Sequence, residues 1–121
     1  MLTNVLVVED EPLLAFDIAQ HLTAAGFHVV GPAGSVAKAL ELIGTVGCDL
    51  AVLDVNLGRE TAEPVARELK RQQKPFLVLS GYSSDQHPAE FGGIPTLTKP
   101  ALPEALVAEL HRLHQLAPAG D

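Results

Sequence analysis

Five short apolar runs, separated by segments of helical period, constrain this chain more than any other feature. The runs are VLVV at 5–8, VV at 29–30, LAVL at 50–53, FLVL at 76–79 and the weaker PTLT at 95–98. Strands that are apolar on both faces are covered on both sides, which is the pattern of a parallel sheet. Between the runs lie amphipathic stretches. Leu14, Ile18, Leu22 and Ala25 form one stripe, opened by Pro12 and closed by Gly26. Val36, Leu40 and Ile43 form a second, with Ser35 as N-cap and Gly44 as the stop. Val65 and Leu69 mark a third helix over 62–72, and a last one starts at Pro103 and presents Leu106, Leu110 and Leu113. A further helix is due after Ser83 and Ser84, but Pro88, Gly92 and Gly93 interrupt it, so a short or mobile one is expected. Strand and helix alternating through short connections imply right-handed crossovers and an open, doubly wound α/β sheet.

At 121 residues the chain suits one domain, expected over 1–116 with a frayed tail at 117–121. Fifteen acidic residues against eight basic ones leave a formal charge of -7. That balance argues against nucleic acid and against an anionic membrane surface as partners. The single cysteine, Cys48, excludes an internal disulfide framework and suits a reducing cytoplasm. No positively charged leader precedes the first apolar run, and no apolar stretch approaches the ~20 residues that span a bilayer.

In doubly wound sheets ligands sit beyond the carboxyl ends of the strands. After the first run come Glu9, Asp10 and Glu11; after the third, Asp54; after the fourth, Ser80; after the fifth, Lys99. Any one of the acids or Ser80 could simply cap the next helix, and Lys99 alone reads as a surface lysine. Together they bring several carboxylates, a hydroxyl and an ammonium to one edge. Glu9, Asp10 and Asp54 close together repel, so they bind a hard cation or one takes up a proton. All-oxygen ligation suits Mg²⁺. A metal there leaves a carboxylate able to attack phosphorus, while the metal, Lys99 and Ser80 meet the charge that spreads over the phosphoryl oxygens. Asp54 is the better nucleophile, because it ends the strand expected at the centre and is followed by a turn at Asn56, Leu57 and Gly58.

Four segments carry a resemblance: VLVVEDEP at 5–12, DLAVLDVNLG at 49–58, FLVLSGY at 76–82 and TKP at 98–100. In that order and spacing they resemble the receiver domain of bacterial two-component response regulators, up to His114. The resemblance implies a flavodoxin-like (βα)5 fold with a five-stranded parallel sheet of order 2-1-3-4-5. It implies that Asp54 is the phosphoacceptor, that Asp10 ligates Mg²⁺ directly and Glu9 supports it through water, and that the Asn56 backbone carbonyl completes the protein's share. Ser80 and Lys99 would hold phosphoryl oxygens, and the bond from Lys99 to Pro100 would be cis. The partner would be a histidine kinase or histidine phosphotransfer protein, the chain a monomer or weak dimer rather than an enzyme. With no output domain expected, signalling would pass to a protein partner, or the chain would serve as a phosphate sink.

Two departures from the family pattern matter. The aromatic switch residue usual three positions before the lysine is replaced by Thr96, and an aromatic stands instead at Tyr82. The run at 76–82 is similar in part to the stand-alone receivers nicknamed FAT GUY, with Val78, Leu79 and Ser80 replacing Phe-Ala-Thr. A switch through Ser80, Gly81 and Tyr82 is therefore expected. A flavodoxin-like cofactor carrier is disfavoured, because the acidic loop at 9–12 repels a phosphate in the absence of a metal. A related phosphatase would need a titratable acid where Asn56 stands. A receiver-like binding module that is never phosphorylated leaves the full set of acids, Ser80 and Lys99 without a use. Cys48 reads as packing, His111 and His114 as a solvated helix face, Thr61 as a cap of the third helix, and His21, His28 and His87 show no partner pattern.

Overall fold

The structure is a computed structural model that describes residues 2–81, 93–99 and 101–116. In chain order its elements are β1 (Asn4–Val8), α1 (Pro12–Ala24), β2 (His28–Ala33), α2 (Val36–Thr45), β3 (Leu50–Asp54), β4 (Asn56–Leu57), β5 (Glu60–Thr61), α3 (Glu63–Arg71), β6 (Phe76–Ser80), β7 (Thr96–Thr98) and α4 (Pro103–Leu116). Five strands pair in parallel in the order β2-β1-β3-β6-β7. This is the expected 2-1-3-4-5 order once the small antiparallel pair β4-β5 is counted separately.

Period-2 alternation sorts the apolar runs onto two faces. Leu6 and Val8 of β1, Ala51 and Leu53 of β3, and Phe76 and Val78 of β6 share a core with Ala39 and Ile43 of α2 and Val65 and Leu69 of α3. The intervening Val5, Val7, Leu50, Val52, Leu77 and Leu79 pack on Ile18 and Leu22 of α1 and on Leu106, Leu110 and Leu113 of α4. Burial on both faces is why these runs lack a polar alternation.

Four helix details differ from expectation. Ala25 is the exposed C-cap of α1, and Ala15 completes the buried stripe instead. Gly44 lies inside α2, which runs on to Thr45; Gly47, at φ +84°, makes the reversal that needs a glycine. Leu40 points outward and Ala39 inward, so the buried face of α2 is rotated by one residue. Ala62 is the N-cap of α3 and makes no side-chain cap hydrogen bond, while Thr61 belongs to β5 and its hydroxyl donates to Glu63 Oε1 at 3.0 Å. Ser35 does cap α2, its Oγ accepting from the Lys38 N–H at 3.1 Å. The helix expected after Ser84, Tyr82, the Lys99–Pro100 bond and the tail at 117–121 lie outside the described residues. Among the described residues no helix is long and apolar enough to cross a membrane.

Candidate functional site

The carboxyl ends of β1, β3, β6 and β7 meet at one edge. β3 is the middle strand of the sheet and delivers Asp54 to the centre of that edge. Glu9 follows β1 and is buried, Asp10 is exposed, and Asp54 is buried. Oxygens of these three carboxylates all lie within 4.8 Å of one another. Lys99 follows β7, and its Nζ donates to Asp54 Oδ2 at 2.9 Å. The same ammonium stands 3.2 Å from Glu9 Oε1 as an ion pair, yet no hydrogen bond of good geometry reaches that oxygen.

The electrostatics follow from burial. Desolvation, together with the negative charge of Asp54, outweighs the Glu11 N–H and Lys99 and pushes Glu9 up to about 7. For Lys99 burial works against the charge, but Asp54 and then Glu9 outweigh it and hold its pKa above the ordinary lysine value. The cluster of three carboxylates, two of them paired with the one ammonium, remains short of positive charge, and a buried carboxylate oxygen has no good donor. Both facts fit a hard cation held by oxygen ligands. Gly58, whose φ of +64° favours a glycine, brings the β4-β5 turn beside the acidic loop: a Cβ there would lie 3.8 Å from Asp10 Oδ2, an ordinary contact.

Ser80 ends β6 and is fully buried; its carbonyl accepts from the Lys99 N–H at 2.8 Å, so the two strand ends are locked side by side. Gly81 follows with open space around the position of a Cβ. The structure thus brings together Glu9, Asp10, Asp54 and Lys99, with Ser80 at the end of the neighbouring strand β6 and Asn56 opening β4 two residues beyond Asp54. Glu11 does not join them. Its carboxylate caps α1 instead, accepting from the Leu14 N–H at 2.8 Å and the Leu13 N–H at 3.3 Å. A cleft of about 330 Å³ opens beside Glu9 and Asp10, walled by Ala15, Phe16, Ala19 and Pro32.

The response regulator receiver domain model matches residues 5–111 of the chain. The chain belongs to the response regulator receiver family. It is 32% identical over 101 residues to the transcriptional regulatory protein PdtaR of Mycobacterium tuberculosis, covering 80% of this chain and 49% of that protein. It is 34% identical over 115 residues to the two-component response regulator PhoP of Pseudomonas aeruginosa, covering 91% of this chain and 51% of that one. The chain therefore spans about half the length of these curated relatives. Among solved structures, SdrG from Sphingomonas melonis Fr1 is similar at 38% identity and a TM-score of 0.79, over 93% of this chain and 96% of that one. A CheY-like receiver from Methanospirillum hungatei JF-1 superposes with a TM-score of 0.85 at 21% identity over 95% of each chain, a likeness of fold. Receiver domains bind Mg²⁺ at an acidic pocket and take phosphoryl groups from histidine kinases or phosphotransfer proteins; the acidic cluster of this receiver is Glu9, Asp10 and Asp54.

Among the described residues the other reactive side chains fall outside this cluster; His87 lies outside the described residues. Cys48 is buried in the core, which pushes its thiol up to about 11 against the pull of Lys74. His111 packs its ring on Phe27 at 5.0 Å. His21 and His28 do have partners: His21 lies 3.4 Å from Asp17, and His28 Nδ1 2.9 Å from Asn4 Oδ1.

Proposed function

We propose that the chain accepts a phosphoryl group on Asp54 from a phosphohistidine of a histidine kinase or phosphotransfer protein. The observation that carries this is one buried carboxylate held by Lys99 at 2.9 Å, with two further carboxylates within 4.8 Å. Lys99 engages Oδ2 and leaves Oδ1 as the attacking atom. The Oδ1–P bond forms as the P–N bond of the donor breaks, and the imidazole nitrogen leaves carrying the electron pair. The ammonium that held the carboxylate then faces the phosphoryl oxygens, and the Ser80 hydroxyl and the Gly81 N–H stand on the neighbouring strand end to receive another. Asp10, Asp54 and the Asn56 carbonyl would hold Mg²⁺ directly, and Glu9 through water. Bound there, Mg²⁺ supplies positive charge against the equatorial oxygens of the transferring group.

The chain acts on itself in this reading: it assists its own phosphorylation and dephosphorylation and transforms no other substrate. Its signal leaves through Ser80, Gly81 and Tyr82 to a protein partner, or the chain serves as a phosphate sink. Leu13 and Phe16, both exposed on α1 beside the acidic loop, offer apolar contact to a protein donor. The test is transfer from a phosphohistidine-bearing phosphotransfer domain. Label should move to this chain in Mg²⁺ and stay on the donor in excess chelator; transfer that ignores the chelator contradicts the reading.

A further inference from the structure

The β4-β5 hairpin follows the phosphoacceptor directly and is tied down at two places. Its base is closed by the Ala62 N–H donating to the Val55 carbonyl at 2.9 Å, with Val55, Leu57 and Ala62 buried. Its far strand reaches a different element. Glu60 Oε1 accepts from the Val36 N–H at 3.2 Å, across 24 residues of sequence, at the first residue of α2. That helix has no acidic residue in its own first turn, and Ser35 satisfies only the Lys38 N–H. Glu60 therefore supplies from outside both an acceptor for an orphan N–H and the negative charge that a helix N-terminus favours. The loop before α2 also lies against the acidic loop: a Cβ on Gly34 would meet Glu9 O and Asp10 Cα, each at 3.9 Å.

We propose that Glu60 is a positioning residue for the cation site. By fastening the hairpin to the N-terminus of α2, it holds Gly58 beside Asp10, and with it the strand that carries Asn56, before a cation arrives. This rests on the phosphoacceptor reading, in which the Asn56 carbonyl is a ligand. With the tie cut, the hairpin keeps its buried base, but its outer half must be ordered at the moment of binding, and affinity falls by that cost. Linkage makes the effect reciprocal: a cation at Asp10 strengthens the Glu60–Val36 contact.

The experiment titrates Mg²⁺ against wild type, Glu60→Ala and Glu60→Gln, following affinity by calorimetry and exchange of the Val36 amide by NMR. Glu60→Ala should bind Mg²⁺ roughly three- to tenfold more weakly, the scale of one hydrogen bond. Glu60→Gln, whose amide oxygen still accepts from Val36, should stay within about twofold. Mg²⁺ should slow Val36 exchange in wild type and leave it unchanged in Glu60→Ala. The amides of β3 report whether each variant keeps its fold. Equal Mg²⁺ affinity in wild type and Glu60→Ala overturns the role of Glu60 alone, whereas a wild type that binds no Mg²⁺ overturns the phosphoacceptor reading and this one with it.

Discussion

At Glu9 two demands on one carboxylate conflict: burial favours the acid, and a cation site needs the anion. With its pKa pushed up to about 7, the metal-free folded protein holds that proton more tightly than the unfolded chain does. The contribution of Glu9 to stability therefore falls as pH rises from about 4.5 to about 7 and levels off above that. Mg²⁺ competes with the same proton, so its affinity should climb between pH 6 and 8 and flatten beyond. Calorimetry at pH 6, 7 and 8 checks this, and an affinity flat over that range refutes it. Cys48 gives a contrasting forecast. A buried thiol pushed up to about 11 should react with a maleimide at pH 8 only as fast as the fold opens, and at ordinary thiol rates in denaturant. The acids and Lys99 were legible from sequence because each directly follows an apolar run. Glu11 was not separable from them, since an acid after a strand serves equally as ligand or as helix cap, and only the contact to the Leu14 N–H decides.

The helices show where pattern reading loses precision. In α2 apolar residues stand at 36, 37, 39, 40, 42 and 43, so the stripe can be drawn two ways about 100° apart. Packing chose Ala39 over Leu40. Leu40→Ala should therefore cost under about 1 kcal/mol, whereas Leu110→Ala, fully buried in α4, should cost about 2–5 kcal/mol. Ser35→Ala should cost about 1 kcal/mol through the lost cap; chemical denaturation of the three variants ranks them. Of the β4-β5 hairpin only the turn at 56–58 is legible in the sequence, because strands of two residues carry no readable period. For the segment 81–93, which includes Tyr82, a phosphoryl mimic bound at Asp54 should change amide exchange relative to Mg²⁺ alone. Unchanged protection there, with the mimic demonstrably bound, would place the switch elsewhere.

Across the whole molecule, topology was the most legible property. Five apolar runs, short connections and the right-handed crossover rule point to an open doubly wound sheet, while the strand order came from the family resemblance and matches the observed one. The site edge followed as well, because a doubly wound sheet gathers its strand ends at one place. The cross-tie from Glu60 to α2 was not legible, since it joins residues 24 apart through a side chain with no pattern of its own. The central claim is phosphorylation of Asp54, and intact-mass analysis after incubation with a small phosphodonor tests it most directly. Wild type with Mg²⁺ should gain the mass of one phosphoryl group, and Asp54→Asn or wild type in excess chelator should gain none. Equal labelling of wild type and Asp54→Asn would contradict the account.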